Sequence, residues 1–565
     1  MKNEVREDIL ISDDYGIMEC MDFPGKKKSD VQETGNITVD SDQGSVFDKP
    51  EPIFENVVAK KYPDLPQEDV PQEITPEEVP ADITSPSEVD RPAPEVLNAV
   101  PASMGSDSRQ RYFFVGSIAI FFMIIVGVLF FIFGRKPENK PVEAVPVTLT
   151  YWGLWEDEKV LKPLFDEYKK ANPHVTIQYD KKDPKDYLSR LIGRAPNGKG
   201  PDIFRFHNTW IPELVTEDKV QLLATLPAEV MTTAEYEKTF YKVQQSDLKI
   251  GSSYYGIPLY LDGFVLLYNP SILKAAGNAN PPTSFINDLI EMSKDMTVKG
   301  ENGPVTSGVA MGTADNVEHF SEILGMIMLL DNIQKQEDVN NLWASTVYHK
   351  LLTDNSQAER GGTNLKIYRE FAEQGIWSST MPNSIDAFAQ GKVAMIFAPT
   401  WQIPVIKAKN PDLQFAVASI PQGIQGRKLT LATYWVEGVS RYSKSQVEAW
   451  KLLKFLSSAK SEEKIFNLQK QYRGMGMAYS RVDMKSKLVD HPELGPLVAY
   501  SDYMVSLPIS SRTYDSGLND ESIEYLRKAV NDASKGVAYS SAFSAAAQGI
   551  RTTLENKYQI KLNSQ

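Results

Sequence analysis

The chain has 565 residues, too many for a single hydrophobic core, so two to four units are expected. Its formal charge of −14 belongs to one end: residues 1–111 carry 25 acidic against 11 basic side chains, and the remainder carries 49 of each. An acidic chain without a basic stripe argues against a nucleic-acid partner, and a lone cysteine, Cys20, leaves no disulfide or cysteine-ligated metal site further on.

Residues 1–111 hold 12 prolines and no tryptophan, whereas all 8 tryptophans lie beyond residue 150. Such a segment buries too little apolar surface to offset its chain entropy, so it is expected to be disordered. The residues before Cys20, "DDYGIME", lack an apolar stretch, which excludes a lipoprotein anchor there. Next comes "YFFVGSIAIFFMIIVGVLFFIFG", residues 112–134, uncharged throughout. As a helix it would span roughly 34 Å, enough to cross a bilayer with some tilt. Its flanking charges, Arg109 and Arg111 before and Arg135, Lys136 and Lys140 after, are close to balanced and lean slightly toward placing the C-terminal side in the cytoplasm, so orientation rests on the identity of the large domain. Residues 135–146 read as a proline-punctuated linker.

From 147 onward strand and helix patterns alternate. "VTLTYW" alternates like a strand, and "LKPLFDEYKKAN" carries a helical apolar stripe that stops at Asn172–Pro173. "VTIQY" is strand-like, "YLSRLI" helical and "GPDIFRF" strand-like again. This rhythm implies right-handed crossovers, a mainly parallel sheet, and ligands beyond the carboxyl ends of its strands. "TYWGLWED" and "IFRFHNTW" both stand at such ends. Later, "YGIPLYLDGFVLLYN" (255–269) is extended, and "AFAQGKVAMIFAPTW" (387–401) reads as helix, stop at Gly391, strand and loop. "SQVEAWKLLKFLSS" and two C-terminal stretches are helical. Two α/β lobes suit the length.

Catalytic motifs are missing. "GRAPNGKG" (193–200) lacks the hydroxyl residue of a phosphate loop and follows a helical stretch, where that motif needs a strand. The histidines are scattered without zinc spacing, and no nucleophile elbow or dinucleotide fingerprint occurs. Glu156, Asp157, Asp202 and Asp262 are the carboxylates near strand ends, and a pair of them could serve glycosidic acid/base chemistry only at a suitable separation. Neither a cofactor nor a metal is expected, and the chain is not expected to be an enzyme.

Four landmarks now fall in order: "VTLTYWGLWEDEKVLKPLFDEYKKANPHVTIQY", "GPDIFRFHNTWIPELV", "YGIPLYLDGFVLLYNPSILKAAGNANPPTSFINDLIE", and "AFAQGKVAMIFAPTW" followed by "AWKLLKFLSS". With them the region from 147 to the end resembles the extracellular solute-binding proteins of ABC importers, in the carbohydrate-type cluster that includes maltose-binding protein. Ser284–Phe285 stand where those proteins commonly have Trp. The resemblance implies an α/β, two-lobed, periplasmic-binding-protein-like fold closing on a ligand. Lobe one would comprise about 147–258 and 414–473, and lobe two about 263–413 and 474–565. The hinge would include Pro258 to Gly263 and the region near Pro421.

It also implies a carbohydrate ligand, ABC permease subunits as partners, and a monomeric receptor. Aromatic planes would cover a sugar's CH face, while carboxylates and amides pair with its hydroxyls. On matched positions the candidate contacts are Trp155, Glu156, Asn208, Trp210, Asp262, Trp401 and Trp435, with Glu437 less strongly indicated. Trp152 reads as strand core, and Trp343, Trp377 and Trp450 as structural. Glu156 and Asp157 could equally be first-turn helix acids. The binding domain would lie outside the cell and the acidic tail in the cytoplasm. A sensor signalling through the membrane segment is an alternative, and a sugar-active ectoenzyme a further one.

Overall fold

The computed structural model describes residues 145–558 except 216–220, 286–287, 333–357 and 424–427. The acidic tail, the apolar run 112–134 and Trp343 lie outside the described residues. Among those described, no helix is long and apolar enough to cross a membrane.

The strands in chain order are β1 (Val147–Gly153), β2 (Val175–Lys181), β3 (Ile203–His207), β4 (Lys249–Ile250), β5 (Ser253–Tyr254), β6 (Phe264–Tyr268), β7 (Val298–Gly300), β8 (Gly303–Val309), β9 (Val393–Pro399), β10 (Ala416–Ala418), β11 (Thr430–Leu431), β12 (Trp435–Val439) and β13 (Met504–Val505). Two sheets organise the molecule, one with order β12-β3-β1-β2 and the other with order β10-β6-β9-β8-β7.

The first sheet is built by crossovers. β1 pairs in parallel with both β2 and β3. The helix Glu158–Ala171 covers it with Val160, Leu161, Leu164, Phe165 and Tyr168. That helix starts at Asp157, whose carboxylate accepts from Lys159 N, and ends at Asn172, whose backbone N–H caps Tyr168 O. β12 joins on the far side, antiparallel to β3, with Trp435 opposite His207.

The second sheet departs from the expected parallel arrangement. Only β8 and β9 run parallel there; β6 is antiparallel to both β9 and β10. The cause is the hinge. β6 enters directly from the extended segment Ile257–Gly263, so it runs away from the hinge, whereas β9 runs back and ends opposite its start, Pro399 facing Phe264. β10 also belongs to this sheet, so the return to lobe one, expected near 414, falls after Ala418.

The segments between lobes pair with each other. Ile257 bridges Glu437, Leu261 bridges Ala478, and Gly263 bridges Ala432. β11 and β13 form a short parallel ladder beside them. These pairings satisfy backbone groups that would otherwise be stranded in the buried hinge. Gly263 needs to be glycine, because a Cβ there would sit 2.4 Å from Leu431 O. Helices Phe320–Asn332, Ala358–Glu373, Leu518–Ser534 and Tyr539–Thr552 pack together and complete lobe two.

Trp152 is 9% exposed and Trp377 and Trp450 are fully buried, as core residues should be. The "GRAPNGKG" stretch begins in the last two residues of the helix Tyr187–Arg194 and continues into a tight turn, with no strand directly before it.

Candidate ligand-binding site

A cleft of about 1160 Å³, counting its open mouth, lies between the two sheets at the ends where β1, β3 and β9 stop and β12 starts. Lobe one lines it with Trp155, Glu156, His207, Trp435 and Arg473. Lobe two lines it with Glu318, Asn383, Asp386, Trp401, Lys409, Ser511, Arg512 and Tyr514. Tyr260, Asp262, Thr433 and Tyr434 come from the hinge segments.

Three half-buried tryptophans define the apolar walls. Trp155 follows the end of β1, Trp435 opens β12, and Trp401 follows β9. Trp155 meets Trp435 edge-on at 5.6 Å between ring centroids. Trp435 in turn contacts His207 at 5.2 Å and Trp210 at 5.3 Å, also edge-on. From lobe two, Tyr514 approaches Trp155 at 5.8 Å, so aromatic rings meet across the cleft.

The polar groups on the walls are held in place. Glu156 is 1% exposed and forms an ion pair with Arg205, which also binds Glu437 through Nε at 2.7 Å. Gln469 Nε2 at 3.3 Å and Arg473 Nη1 at 3.4 Å reach the other oxygen of Glu156. Two buried carboxylates thus share one buried guanidinium beneath the floor, with Tyr260 5.5 Å from it. Lys409 pairs with Asp386 at 2.9 Å, and Arg512 with Glu318.

Asp262 is 2% exposed. Its Oδ1 accepts from Gly263 N at 2.7 Å, Thr400 N at 3.0 Å and Thr400 Oγ1 at 2.6 Å, and its Oδ2 from Trp401 N at 3.3 Å. A hinge carboxylate therefore receives the amides that open the helix Gln402–Lys409 and fixes Trp401 beside the cleft. Burial pushes its pKa up to about 7. Burial also pushes His207 down to about 3, so that imidazole is neutral.

The loop after Leu507 carries unusual backbone. Arg512, Tyr514 and Ser516 have φ of 61°, 57° and 48° without being glycine. Glu322 Oε1 holds its start, accepting from Ser511 N and Ser511 Oγ, each at 2.6 Å. Asp515 holds its end, accepting from Asn519 N at 2.9 Å.

Of the candidates named from sequence, Trp155, Glu156, Asp262, Trp401 and Trp435 converge on this cleft. Asn208 and Trp210 do not. Asn208 is fully buried with its amide bonded to protein groups, and Trp210 is 2% exposed against Tyr187 and Trp435. The reason is the tight turn Asn208–Trp210, which rotates successive side chains away from the strand end. Glu437 faces Arg205 rather than the cleft. Asp157 caps a helix, and Asp202 accepts from Thr150 N at 2.8 Å and Ser443 Oγ at 2.6 Å. Sequence reading missed His207, Tyr260 and Tyr434, although each neighbours a named residue. Tyr514 and Arg512 had no sequence signal, because their placement depends on left-handed backbone.

The family described as bacterial extracellular solute-binding protein matches residues 152–463. The chain belongs to this family. A maltodextrin-binding protein, MdxE of Bacillus subtilis, is 22% identical over 336 residues, 57% of this chain and 70% of that protein. Among solved structures, the sugar-binding protein MalE of Xanthomonas citri superposes with a TM-score of 0.57 at 16% identity, covering 73% of this chain and 99% of that one. A cyclo/maltodextrin-binding protein complexed with maltotetraose gives 0.58 at 16% identity, covering 74% and 99%. At such identities these structures establish the two-lobed solute-binding fold.

Proposed function

We propose that this solute-binding protein captures a carbohydrate, most simply an oligosaccharide, in the inter-lobe cleft and delivers it to an ABC permease. The observation that carries this reading is the placement of Trp155, Trp435 and Trp401, from both lobes, around one cleft whose rim is charged and hydrogen-bonding. Aromatic planes suit the apolar face of a pyranose, and fixed carboxylates and guanidiniums suit its hydroxyls. Relatives that bind maltodextrin and maltotetraose support the same ligand class. A ligand touching both lobes favours the closed arrangement by its differential affinity, and the permease would read that shape. The run 112–134 would tether the receptor to the membrane, with the cleft outside and the acidic tail in the cytoplasm.

The test is a glycan panel, with linear and cyclic gluco- and manno-oligosaccharides, applied to the purified full chain. Binding should change tryptophan emission and raise the melting temperature. A broad panel without either change would refute the carbohydrate assignment.

A further inference from the structure

The turn "HNTW", residues 207–210, looks in sequence like a ligand loop, yet only His207 of the four lines the cleft. Its side chains instead reach four other parts of the molecule. His207 Nε2 lies 3.0 Å from Thr433 Oγ1 on the segment returning from lobe two. Asn208 Nδ2 donates to Asp247 Oδ2 and to Ser506 Oγ, both at 3.0 Å, and Asn208 Oδ1 accepts from Tyr434 N at 3.3 Å. Thr209 Oγ1 accepts from Asn519 Nδ2 at 2.8 Å, in the first turn of the lobe-two helix Leu518–Ser534. Trp210 packs edge-on against Trp435.

The hydrogen-bond directions can be assigned. His207 Nδ1 faces Thr209 Oγ1 at 2.7 Å and also accepts from Thr209 N at 3.4 Å. Thr209 therefore donates its hydroxyl proton to Nδ1 while accepting from Asn519. The neutral imidazole then carries its proton on Nε2 and donates to Thr433. A continuous relay, Asn519 to Thr209 to His207 to Thr433, thus joins a lobe-two helix to a hinge segment through lobe one. Every member is at most 8% exposed.

We propose that His207–Trp210 is a latch between the lobes, with Thr209–Asn519 as its separable bond and Thr209 as a positioning residue for closure. Neither Thr209 nor Asn519 lines the cleft, so this separable bond acts without touching ligand, while His207 and Thr433 at the other end of the relay do line the cleft. It favours the closed arrangement whether or not ligand is present, and so sets how much ligand affinity is spent on closure. The structural part stands alone; its effect on affinity rests on the carbohydrate reading above.

The experiment uses the full chain with Cys20→Ser and dyes on Lys170→Cys in lobe one and Lys274→Cys in lobe two, both exposed. Single-molecule energy transfer on the ligand-free protein reads lobe separation. Thr209→Val keeps the shape and removes the hydroxyl; it should move population toward the open state by about fivefold, the equivalent of one neutral hydrogen bond. Thr209→Ser should restore the wild-type distribution. Asn519→Ala breaks the bond from the other lobe, and the double variant should open no further than either single one. An unchanged lobe distribution in Thr209→Val, or strict additivity in the double variant, would overturn the latch. If wild type binds no glycan, the carbohydrate reading falls while the ligand-free measurement still decides the latch. If wild type binds, Thr209→Val should bind about fivefold more weakly.

Discussion

Trp152 and Trp155 stand three residues apart in "TYWGLWED" and do different things. Trp152 closes the buried face of β1, against Tyr187 at 6.4 Å and under Lys182 Nζ at 4.7 Å. Trp155 is past the strand end and walls the cleft. Trp152→Ala should therefore cost about 3–5 kcal/mol of stability, the usual range for truncating a buried tryptophan, seen as a lower denaturant midpoint. Trp155→Ala should leave that midpoint within about 1 kcal/mol and weaken ligand binding tenfold or more, measured by calorimetric titration. A stability loss as large for Trp155 as for Trp152 would make it a core residue. The sequence permits this distinction because alternation shows where β1 ends. It could not place Asn208 and Trp210, since a short turn decides which way each side chain points. Nor could it show that Glu156 answers to Arg205, 49 positions away and on another strand.

Among the elements, the short helix Lys242–Asp247 bears on the hinge through its last residue. Asp247 Oδ2 accepts from Asn208 Nδ2 at 3.0 Å, Ser506 Oγ at 2.7 Å and Tyr434 OH at 2.8 Å, while its Oδ1 is buried without a hydrogen-bond partner among the described residues. Burial pushes its pKa from 3.8 up to about 6, against the pull of those three donors. The folded state thus holds this proton more tightly than the unfolded chain. Where the folded state binds more protons, stability falls as pH rises, so this site's contribution is full below pH 4 and is lost between about pH 4 and 6. Two pH units correspond to roughly 3 kcal/mol. Asp247→Asn keeps one acceptor for the three donors and cannot titrate. Its denaturation midpoint should lack the part of the wild-type decline between pH 4 and 6 that Asp247 causes; parallel profiles for the two proteins would remove Asp247 as the source. Such elements were only partly legible. The strand–helix alternation of lobe one follows local periodicity, and its sheet is mostly parallel as expected. The antiparallel β6 and the membership of β10 in lobe two follow from where the chain crosses the hinge, which no local pattern records.

At the scale of the whole molecule, the two-lobed architecture was legible because four landmarks in order carry it. The contacts that fix one lobe on the other were not, since Thr209 and Asn519 lie 310 residues apart and nothing in either neighbourhood names the other. Orientation across a membrane is the remaining question at this scale, and local charge leans slightly the other way: two basic residues, Arg109 and Arg111, precede the run and three, Arg135, Lys136 and Lys140, follow it. The cleft does supply an argument. A receptor that hands solute to an importer, as proposed above, must meet that solute before it crosses, so on that proposal the domain from 147 onward would lie outside. If the 23 uncharged residues of 112–134 cross the bilayer, as proposed, the acidic segment would lie inside. Protease added to intact cells should accordingly release a fragment that begins within 135–146 and retains glycan binding, while an antibody against residues 1–111 still detects a membrane-bound remnant. Loss of the acidic segment with survival of the binding domain would invert the topology. Loss of both from the membrane fraction without protease, on a high-salt wash, would show that the run does not anchor the chain. Salt screens charge attraction but leaves apolar burial intact, so the wash separates the two modes of attachment.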